Sequence, residues 1–344
     1  MRETLCAMQK KTAIMNYDDE IRLSQEKGII DKSDIFDFRE TPFEDLFDDY
    51  YRFCKEHLNN CLETYDLYPS VFIFNNSLIP NAKAQYSNDT FSIHINLGLF
   101  KKCVDSYLNN EELDDYLSDK YSDLLSDFDN PLTALAFQVS TQFTYYHEFA
   151  HLVQFSKVRE ELSLQERYDK EVPYDIEKQS LEINADSFAS IAIGTHIQQY
   201  IKKSLGKNIN QEKVELTIVL ICSCLLNYIA TFCDDVSDIY FKKYAHPHPF
   251  LRLFAINLNI LHYLNQSEFF LDNGIEIRMN ELFKRILDFY EDLENNKIFN
   301  TKMAVAMKFG PQIQEEIVAH LGNLLELKTD KYRDAIGEWN KHST

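Results

Sequence analysis

Glycine and proline are scarce in this sequence, with eight of each among 344 residues. Both residues interrupt helices and build turns, so their scarcity predicts few turns and long helices. A chain of this length can bury a large core in one or two domains. Together with the strand patterns described below, this predicts a mainly α protein with a small β-sheet, in the α+β class.

Basic residues are also few. The sequence has 35 lysines and arginines against 55 aspartates and glutamates, which gives a formal net charge of −20. A surface with this balance repels the phosphates of nucleic acids. We therefore expect no nucleic-acid partner.

Paired cysteines and an N-terminal apolar run are absent as well. The seven cysteines are an odd number and include no C-x-x-C pair, which favours reduced thiols and a cytoplasmic location. Residues 1–20 contain no apolar run, so we expect no signal peptide.

One stretch is apolar enough to raise the question of a membrane. Residues 216–233 carry no charge, and eighteen residues are the lower limit for a transmembrane helix. Polar residues nevertheless recur at every fourth position, at Ser223, Asn227, Thr231 and Asp235. This polar stripe predicts a helix in a protein core, and we expect no membrane span.

Strand patterns lie between residues 71 and 96. Val71 to Phe74 is a short apolar run, Ala82 to Tyr86 is extended, and Phe91 to Asn96 alternates with period two. We expect these segments to form a small sheet of three or more strands. Helical periodicity predominates elsewhere and predicts helices over residues 41–65, 176–205, 211–244 and 250–264, with a surface loop or short helices over 159–179.

Residues 147–151 read His-Glu-Phe-Ala-His, which is the pattern H-E-x-x-H. On an α-helix, side chains four residues apart lie on one face, so His147 and His151 point to the same side. Two imidazoles in this arrangement can hold one Zn²⁺, and Glu148 can act on a zinc-bound water. Asn130 can cap this helix, and Pro131 suits its first position. The alternative is a chance occurrence of the pattern, so a third ligand is needed.

A candidate third ligand lies downstream. Glu182 and Asp186 are four residues apart and would share a helix face. The carboxylate of Glu182 is an acceptable zinc ligand, and Asp186 could accept the free N–H of a zinc-bound histidine. The alternative is two solvated acids on a surface helix. It is disfavoured because apolar residues surround the pair, namely Leu181, Ile183, Ala185, Phe188 and Ala189. We therefore predict one zinc ion held by His147, His151 and Glu182.

The order of these motifs resembles that of the gluzincins, the zinc peptidases with two histidines and one glutamate on the metal. The most similar patterns belong to the branch of the CAAX prenyl protease type and its small soluble relatives. Two further stretches match that branch. They are Asn81-Ala82-Lys83-Ala84 with the later Ile93-x-Ile95-Asn96-x-Gly98-Leu99, and His246-Pro247 with Arg252 six residues after the histidine.

The resemblance implies a zincin-like catalytic core with extra helices at both ends. It suggests an N-terminal helical extension over residues 1–65, a metallopeptidase domain over 66–264 and a C-terminal helical region over 265–344. Many members of the branch are embedded in membranes, whereas this sequence is similar to the soluble ones. A phage-exclusion peptidase of the Lit type is an analogous soluble bacterial example.

The implied activity is that of a zinc-dependent metalloendopeptidase. Zinc lowers the pKa of its water to about 7, and Glu148 would take the proton as general base and pass it to the leaving amine. The resemblance places His246 at the site, where it would stabilise the oxyanion, with Arg252 supporting it or binding the substrate carbonyl. The alternative for residues 245–249 is a helix-breaking surface loop.

The resemblance also assigns a substrate-binding strand. Asn81, Ala82 and Ala84 would lie on an edge strand that pairs with an extended peptide or protein substrate, as in β-augmentation. The alternative is an ordinary edge strand. The parts of the chain outside the resemblance offer surface for a regulatory protein partner.

Two other functions stay open. One is a phage-defence or toxin-like protease with a single cellular target. The other is a non-catalytic regulatory protein that holds zinc only to stabilise its fold. Glu148 argues against the second, because a structural zinc site does not need a base.

Overall fold

The computed structural model describes residues 16–128, 130–160, 162–167, 172–233 and 236–327, together with residues 333 and 337. It is 67% helical and contains a four-stranded mixed sheet, which confirms the predicted mainly α class with a small β-sheet. Its α-helices are α1 (Tyr17–Glu26), α2 (Glu44–Tyr65), α3 (Leu97–Cys103), α4 (Glu111–Leu125), α5 (Leu132–Ser156), α6 (Ile176–Leu205), α7 (Gln211–Ala230), α8 (Pro249–Asn265), α9 (Glu268–Asp272), α10 (Met279–Asn295), α11 (Met303–Phe309) and α12 (Gln314–Glu326).

The sheet has the order β1-β3-β2-β4. Its strands are β1 (Ser70–Asn75), β2 (Ala82–Ser87), β3 (Thr90–Asn96) and β4 (Leu162–Gln165). β3 pairs in parallel with β1, whereas β2 pairs antiparallel with both β3 and β4. The first three strands were predicted. β4 was not, because its four residues lie in the charged stretch for which we expected a loop or short helices.

Helix α5 carries the H-E-x-x-H motif through the centre of the protein. Its sequence is apolar on nearly every side, and almost all of its residues are buried, as expected of a helix that is packed all round. It packs against α6, against α2 and against the strands β2 and β3. The helix begins one residue later than predicted, because Pro131 precedes it and accepts the N–H groups of Ala134 and Leu135 through its carbonyl.

Helix α7 is shorter than the predicted helix over residues 211–244. It ends at Ala230, where the N–H and the hydroxyl of Thr231 both donate to the carbonyl of Tyr228, at 3.0 and 2.7 Å. This tight last turn terminates the helix. The described residues from 236 to 248 then run as irregular backbone. Pro249 begins α8, and the side chain of His248 caps it by accepting the N–H of Phe250.

Among the described residues, α7 is the helix long and apolar enough to cross a membrane, and 89% of its apolar window is buried inside the protein. The side chains of its polar stripe form hydrogen bonds with other parts of the same chain. The hydroxyl of Ser223 donates to the carbonyl of Ile286, and the side-chain amide of Asn227 donates to the hydroxyl of Tyr107. Asp235 lies outside the described residues. α7 is therefore placed as a core helix.

The C-terminal helices pack on α6. The hydroxyl of Ser180 donates to the carbonyl of Leu324 at 2.7 Å, and His320 lies within hydrogen-bond distance of Gln179. Buried side chains from Tyr17 to Leu324 belong to one continuous core. The predicted boundaries after residues 65 and 264 stay a prediction, and side chains on both sides of each boundary pack into this core.

Candidate metal centre

The two motif histidines lie in the C-terminal half of α5 and face each other. They lie one helical turn apart, and their Nε2 atoms are 3.0 Å from each other. Both side chains are buried, with 1% of each exposed. The predicted convergence of His147 and His151 on one point is therefore present.

The outer nitrogen of His151 is held by Gln154. The side-chain amide of Gln154 donates through Nε2 to the carbonyl of Leu181 and to the side-chain oxygen of Asn184, at 3.0 Å each. These two contacts orient the amide, so its oxygen faces Nδ1 of His151 at 2.7 Å. Because that oxygen is an acceptor, Nδ1 carries the proton and Nε2 presents its lone pair to His147.

The outer nitrogen of His147 faces an acceptor as well. Its Nδ1 lies 3.0 Å from Oδ1 of Asp186, but the contact lacks hydrogen-bond geometry. The role of Asp186 in fixing the tautomer of a metal-bound histidine therefore stays a prediction. A proton on this Nδ1 would leave the lone pair of Nε2 pointing inward. Because the two Nε2 atoms are 3.0 Å apart, two inward lone pairs would repel unless a metal ion or a proton lay between them.

Helix α6 brings the third group. Asp175 caps this helix by accepting the N–H groups of Glu177 and Lys178, and its seventh residue is Glu182. The carboxylate of Glu182 lies 3.3 Å from Nε2 of His147 and 3.6 Å from Nε2 of His151. The three ligand atoms lie within 4.8 Å of one another. His147, His151 and Glu182 thus form a buried group that could bind a metal ion.

The charges around this group favour a cation. Burial would raise the pKa of Glu182, but attraction to His246 and to the two motif histidines holds it well below its usual value. Burial would lower the pKa of His147, yet the carboxylates of Glu166, Asp186 and Glu182 raise it well above its usual value. His151 has no comparable support, and burial lowers its pKa to about 4. The centre therefore stabilises positive charge at His147, where a proton and a metal ion would compete.

Glu148 lies next to the group without a donor of its own. Its side chain is fully buried, and among the described residues neither carboxylate oxygen has a hydrogen-bond partner. Burial and the nearby carboxylates of Glu166 and Glu182 raise its pKa well above the usual value, against the attraction of His147. This environment favours the protonated form of the carboxyl group more than solvent does.

Arg252 lies on the far side of Asp186. It is fully buried, and its Nε and one terminal nitrogen donate to the two oxygens of Asp186, at 2.9 and 2.7 Å. The other terminal nitrogen donates to Glu166 at 2.8 Å. This fork holds Asp186 against His147, which makes Arg252 a positioning residue for the group. The predicted contacts of Arg252 with His246 or a substrate carbonyl stay predictions.

His246 reaches the centre from the irregular stretch before α8. Its Nε2 lies 3.7 Å from the carboxylate of Glu182 and donates to the main-chain carbonyl of Gln165 at 2.7 Å. The side-chain amide of Gln179 donates to the carbonyls of Phe241, Tyr244 and His246. The predicted placement of His246 beside the metal group is present, and what it binds there is a peptide carbonyl.

The prediction that β2 is an edge strand is wrong. β4 covers that side of β2, with Ala84 opposite Leu164, and the N–H of Glu166 donates to the carbonyl of Ala82. The side chain of Asn81 also bonds to this segment, accepting the N–H of Arg167 at 2.8 Å. The pairing groups of β2 are therefore satisfied by the protein's own chain, because residues after α5 turn back along it. A substrate contact through Asn81, Ala82 and Ala84 stays a prediction.

Two residues of the centre were missed. Gln154 follows His151 by three residues, so helical spacing alone could have placed it on the same face. Glu166 carried no comparable signal, because its position depends on how β4 pairs with a distant strand. Comparison of the chain with protein-family models, with curated proteins and with solved structures found no match, so the functional conclusion rests on the geometry of this centre.

Proposed function

We infer that this chain is a zinc-dependent metalloendopeptidase of the gluzincin type that acts in the cytoplasm. The observation that carries this proposal is the convergence of two buried imidazoles on the carboxylate of Glu182, with Nδ1 of His151 held by Gln154 and Nδ1 of His147 3.0 Å from Asp186. Two histidines and one carboxylate are the donor set of catalytic zinc sites that keep a fourth position open. Cys54, Cys61, Cys103, Cys222 and Cys224 are free thiols, which is compatible with a reducing compartment.

The chain's own residues divide the chemistry of peptide hydrolysis. Zinc held by His147, His151 and Glu182 would supply a Lewis acid, which in such sites lowers the pKa of water to about 7. Glu148, whose two oxygens have no hydrogen-bond partner among the described residues, would take the proton of the attacking water and deliver it to the leaving amine. His246 donates to a peptide carbonyl in the structure, and the same N–H would stabilise the oxyanion of a substrate, an interaction worth about 2.7–4 kcal/mol in comparable sites.

Metal analysis tests the proposal first. Purified wild type, equilibrated with zinc and then desalted, should retain one zinc ion per chain. His151→Ala and Glu182→Ala should lose it, because each removes one of three ligands. Glu56→Gln, an exposed position on α2, is the matched control and should retain zinc. Equal zinc content in all four proteins would contradict the proposed ligand set.

Cleavage of a casein substrate tests the catalytic part. Glu148→Gln keeps the size of the side chain but removes the base, so it should bind zinc normally and cleave about 100-fold to 10,000-fold more slowly than wild type, the usual contribution of general acid–base catalysis. A chelator should abolish the activity of the wild type. Cleavage by Glu148→Gln at the wild-type rate would contradict the role of Glu148.

A second candidate is a protein that holds metal without catalysis. Its support is the closure of the centre, because His147, Glu148 and Glu182 are at most 1% exposed. In that case zinc would bind as proposed, but no variant or condition that opens the centre would produce cleavage. The predicted phage-defence target stays a prediction.

A further inference from the structure

The centre is filled by a piece of the protein itself. Residues 162–167, which comprise β4, Glu166 and Arg167, are here named the occluding segment. They run antiparallel to β2 on the side where an extended substrate was expected. A peptidase must admit an extended peptide to its metal, yet in this structure Glu148 and the three metal-binding side chains are buried.

Backbone pairing is the first contact that holds the occluding segment. Gln165 lies opposite Lys83 and Leu164 opposite Ala84, and the N–H of Glu166 donates to the carbonyl of Ala82 at 3.0 Å. This is the geometry by which a peptide adds a strand to a sheet. The segment therefore has the backbone course that a bound substrate would have.

The carbonyl of Gln165 is the second contact. It accepts a hydrogen bond from Nε2 of His246 at 2.7 Å, and the same nitrogen lies 3.7 Å from the carboxylate of Glu182. A donor beside the metal group thus holds a main-chain carbonyl of the protein's own chain. That is the group a substrate would present to the proposed oxyanion donor.

The side chain of Glu166 is the third contact. It is fully buried; one oxygen accepts from Arg252 at 2.8 Å, whereas the other points into the centre and lies 3.6 Å from Nε2 of His147. Among the described residues this inner oxygen has no hydrogen-bond donor. A buried carboxylate oxygen without a donor is costly unless a cation compensates it.

We propose that the occluding segment occupies the substrate site as a built-in pseudosubstrate and that Glu166 is a fourth ligand of the metal ion. This inference rests on the proposed function. Four protein donors close a zinc site, whereas a catalytic site keeps one position for water. The described conformation is therefore the inactive one, and an extended peptide must displace residues 162–167 from β2 before hydrolysis can begin.

Zinc-loaded Glu166→Gln tests the ligand role without relying on cleavage. Acetohydroxamate, a small zinc-binding probe, should bind this variant at least about tenfold more tightly than wild type, because the fraction of open centre sets the apparent affinity. Zinc itself should bind more weakly, as measured by competition with a chelator. Glu56→Gln should match the wild type in both measurements. Equal acetohydroxamate affinity in Glu166→Gln and wild type overturns the ligand role.

A reversible crosslink tests the occlusion even if Glu166→Gln folds poorly. Gln85 and Ser163 lie opposite each other on β2 and β4. Because Glu166 and Ala82 form a hydrogen-bonded pair, alternation makes Gln85 and Ser163 a non-hydrogen-bonded pair, with Cα atoms about 4.5 Å apart, within the range that a disulfide spans. The double variant Gln85→Cys, Ser163→Cys should therefore lock the segment when oxidised.

In the oxidised double variant, acetohydroxamate affinity and casein cleavage should both fall at least about tenfold below those of the reduced protein. The disulfide lowers the fraction of molecules in which the occluding segment has left the metal centre. Each single cysteine variant should respond to oxidation no more than the wild type does. Zinc uptake with no effect of the lock overturns the occlusion and leaves the proposed function standing. Absence of zinc uptake by the wild type overturns the proposed function and this inference with it.

Discussion

Two buried sets of charged side chains in this protein differ in one respect. Between α1, α2 and β1, the Nζ of Lys55 lies 2.7 Å from one oxygen of Glu20, and the N–H of Phe72 donates to the other oxygen at 2.8 Å. The two charges therefore offset each other, although the oxygen of Glu20 nearest Lys55 forms no hydrogen bond. At the metal centre, both oxygens of Glu148 and of Glu182 lack a hydrogen-bond donor among the described residues.

The balance of charge at the centre explains the difference. The carboxylates of Glu148, Glu166, Glu182 and Asp186 are all buried there, and Arg252 pairs with two of them. Burying unmatched carboxylates is expensive. The pair of Lys55 with Glu20 holds its own opposite charge, whereas the buried acidic groups around His147 and His151 form a group that could bind a metal ion.

The largest effect on stability is expected when the buried pair of Lys55 and Glu20 is broken. Lys55→Met should lower the free energy of unfolding by about 3–5 kcal/mol, because it leaves the carboxylate of Glu20 buried without its partner. Chemical denaturation would measure the loss. The double variant Glu20→Gln, Lys55→Met should recover part of it. A loss below about 1 kcal/mol, typical of exposed pairs, would contradict the assignment of this pair as buried and structural.

The next effect is the gain in stability on zinc binding, which should distinguish the metal centre from the pair of Lys55 and Glu20. Zinc at about 100 times its dissociation constant should stabilise the wild type by about 2.7 kcal/mol through mass action. Lys55→Met should keep this increment, since its defect lies elsewhere, whereas Glu182→Ala should lose it. Thermal unfolding with and without zinc would show the contrast. The same increment in Glu182→Ala would place the zinc at some other site.

A smaller effect concerns the support of one ligand. Gln154→Leu removes the acceptor at Nδ1 of His151 while keeping a side chain of similar size, and zinc affinity should fall about 10-fold to 100-fold. Chelator competition would measure it. Gln211→Leu is a suitable control, because Gln211 bonds to Glu215 and Glu276 instead. Unchanged affinity in Gln154→Leu would mean that the tautomer of His151 is fixed without this amide.

The sequence could predict features that depend on local spacing, but it could not predict features that depend on contacts between distant segments. His147, His151, Glu182 and Asp186 are related by the spacing of four residues within a helix, so local geometry fixed each pair before any tertiary structure was known. The mainly α class followed from composition in the same way. The prediction that the two pairs meet came from the ligand set that zinc requires. The structure brings the four side chains together.

The errors came from long-range pairing. β2 looked like an open edge because nothing in its own sequence shows that residues 162–165 return to it. Glu166 takes its place at the centre only through that pairing. The end of α7 at Ala230 was missed because the apolar pattern continues past it, while a hydroxyl that bonds to the preceding turn ends the helix. These features depend on contacts between distant segments, which periodicity does not encode.

The smallest effect is expected from a third set of charges, which joins a buried glutamate to two partly exposed arginines. Glu215 pairs with Arg278 and Arg285, which are 42% and 39% exposed. Burial would raise the pKa of Glu215, but hydrogen bonds from Arg278 and Gln211 and the attraction of Arg285 hold it below its usual value. A carboxylate with a lowered folded-state pKa stabilises the fold above its unfolded-state pKa, and this stabilisation disappears as the pH falls through the folded-state pKa.

Glu215→Gln should therefore cost at most about 1 kcal/mol at neutral pH, because solvent and salt screen the partly exposed arginines. Denaturation at pH 7 and at pH 3 should show a difference between variant and wild type that shrinks in acid. Added salt should shrink it too, since screening weakens surface pairs, but should leave the cost of Lys55→Met largely intact. If the loss of stability in Glu215→Gln depended on neither pH nor salt, Glu215 would instead resemble the buried pair of Lys55 and Glu20.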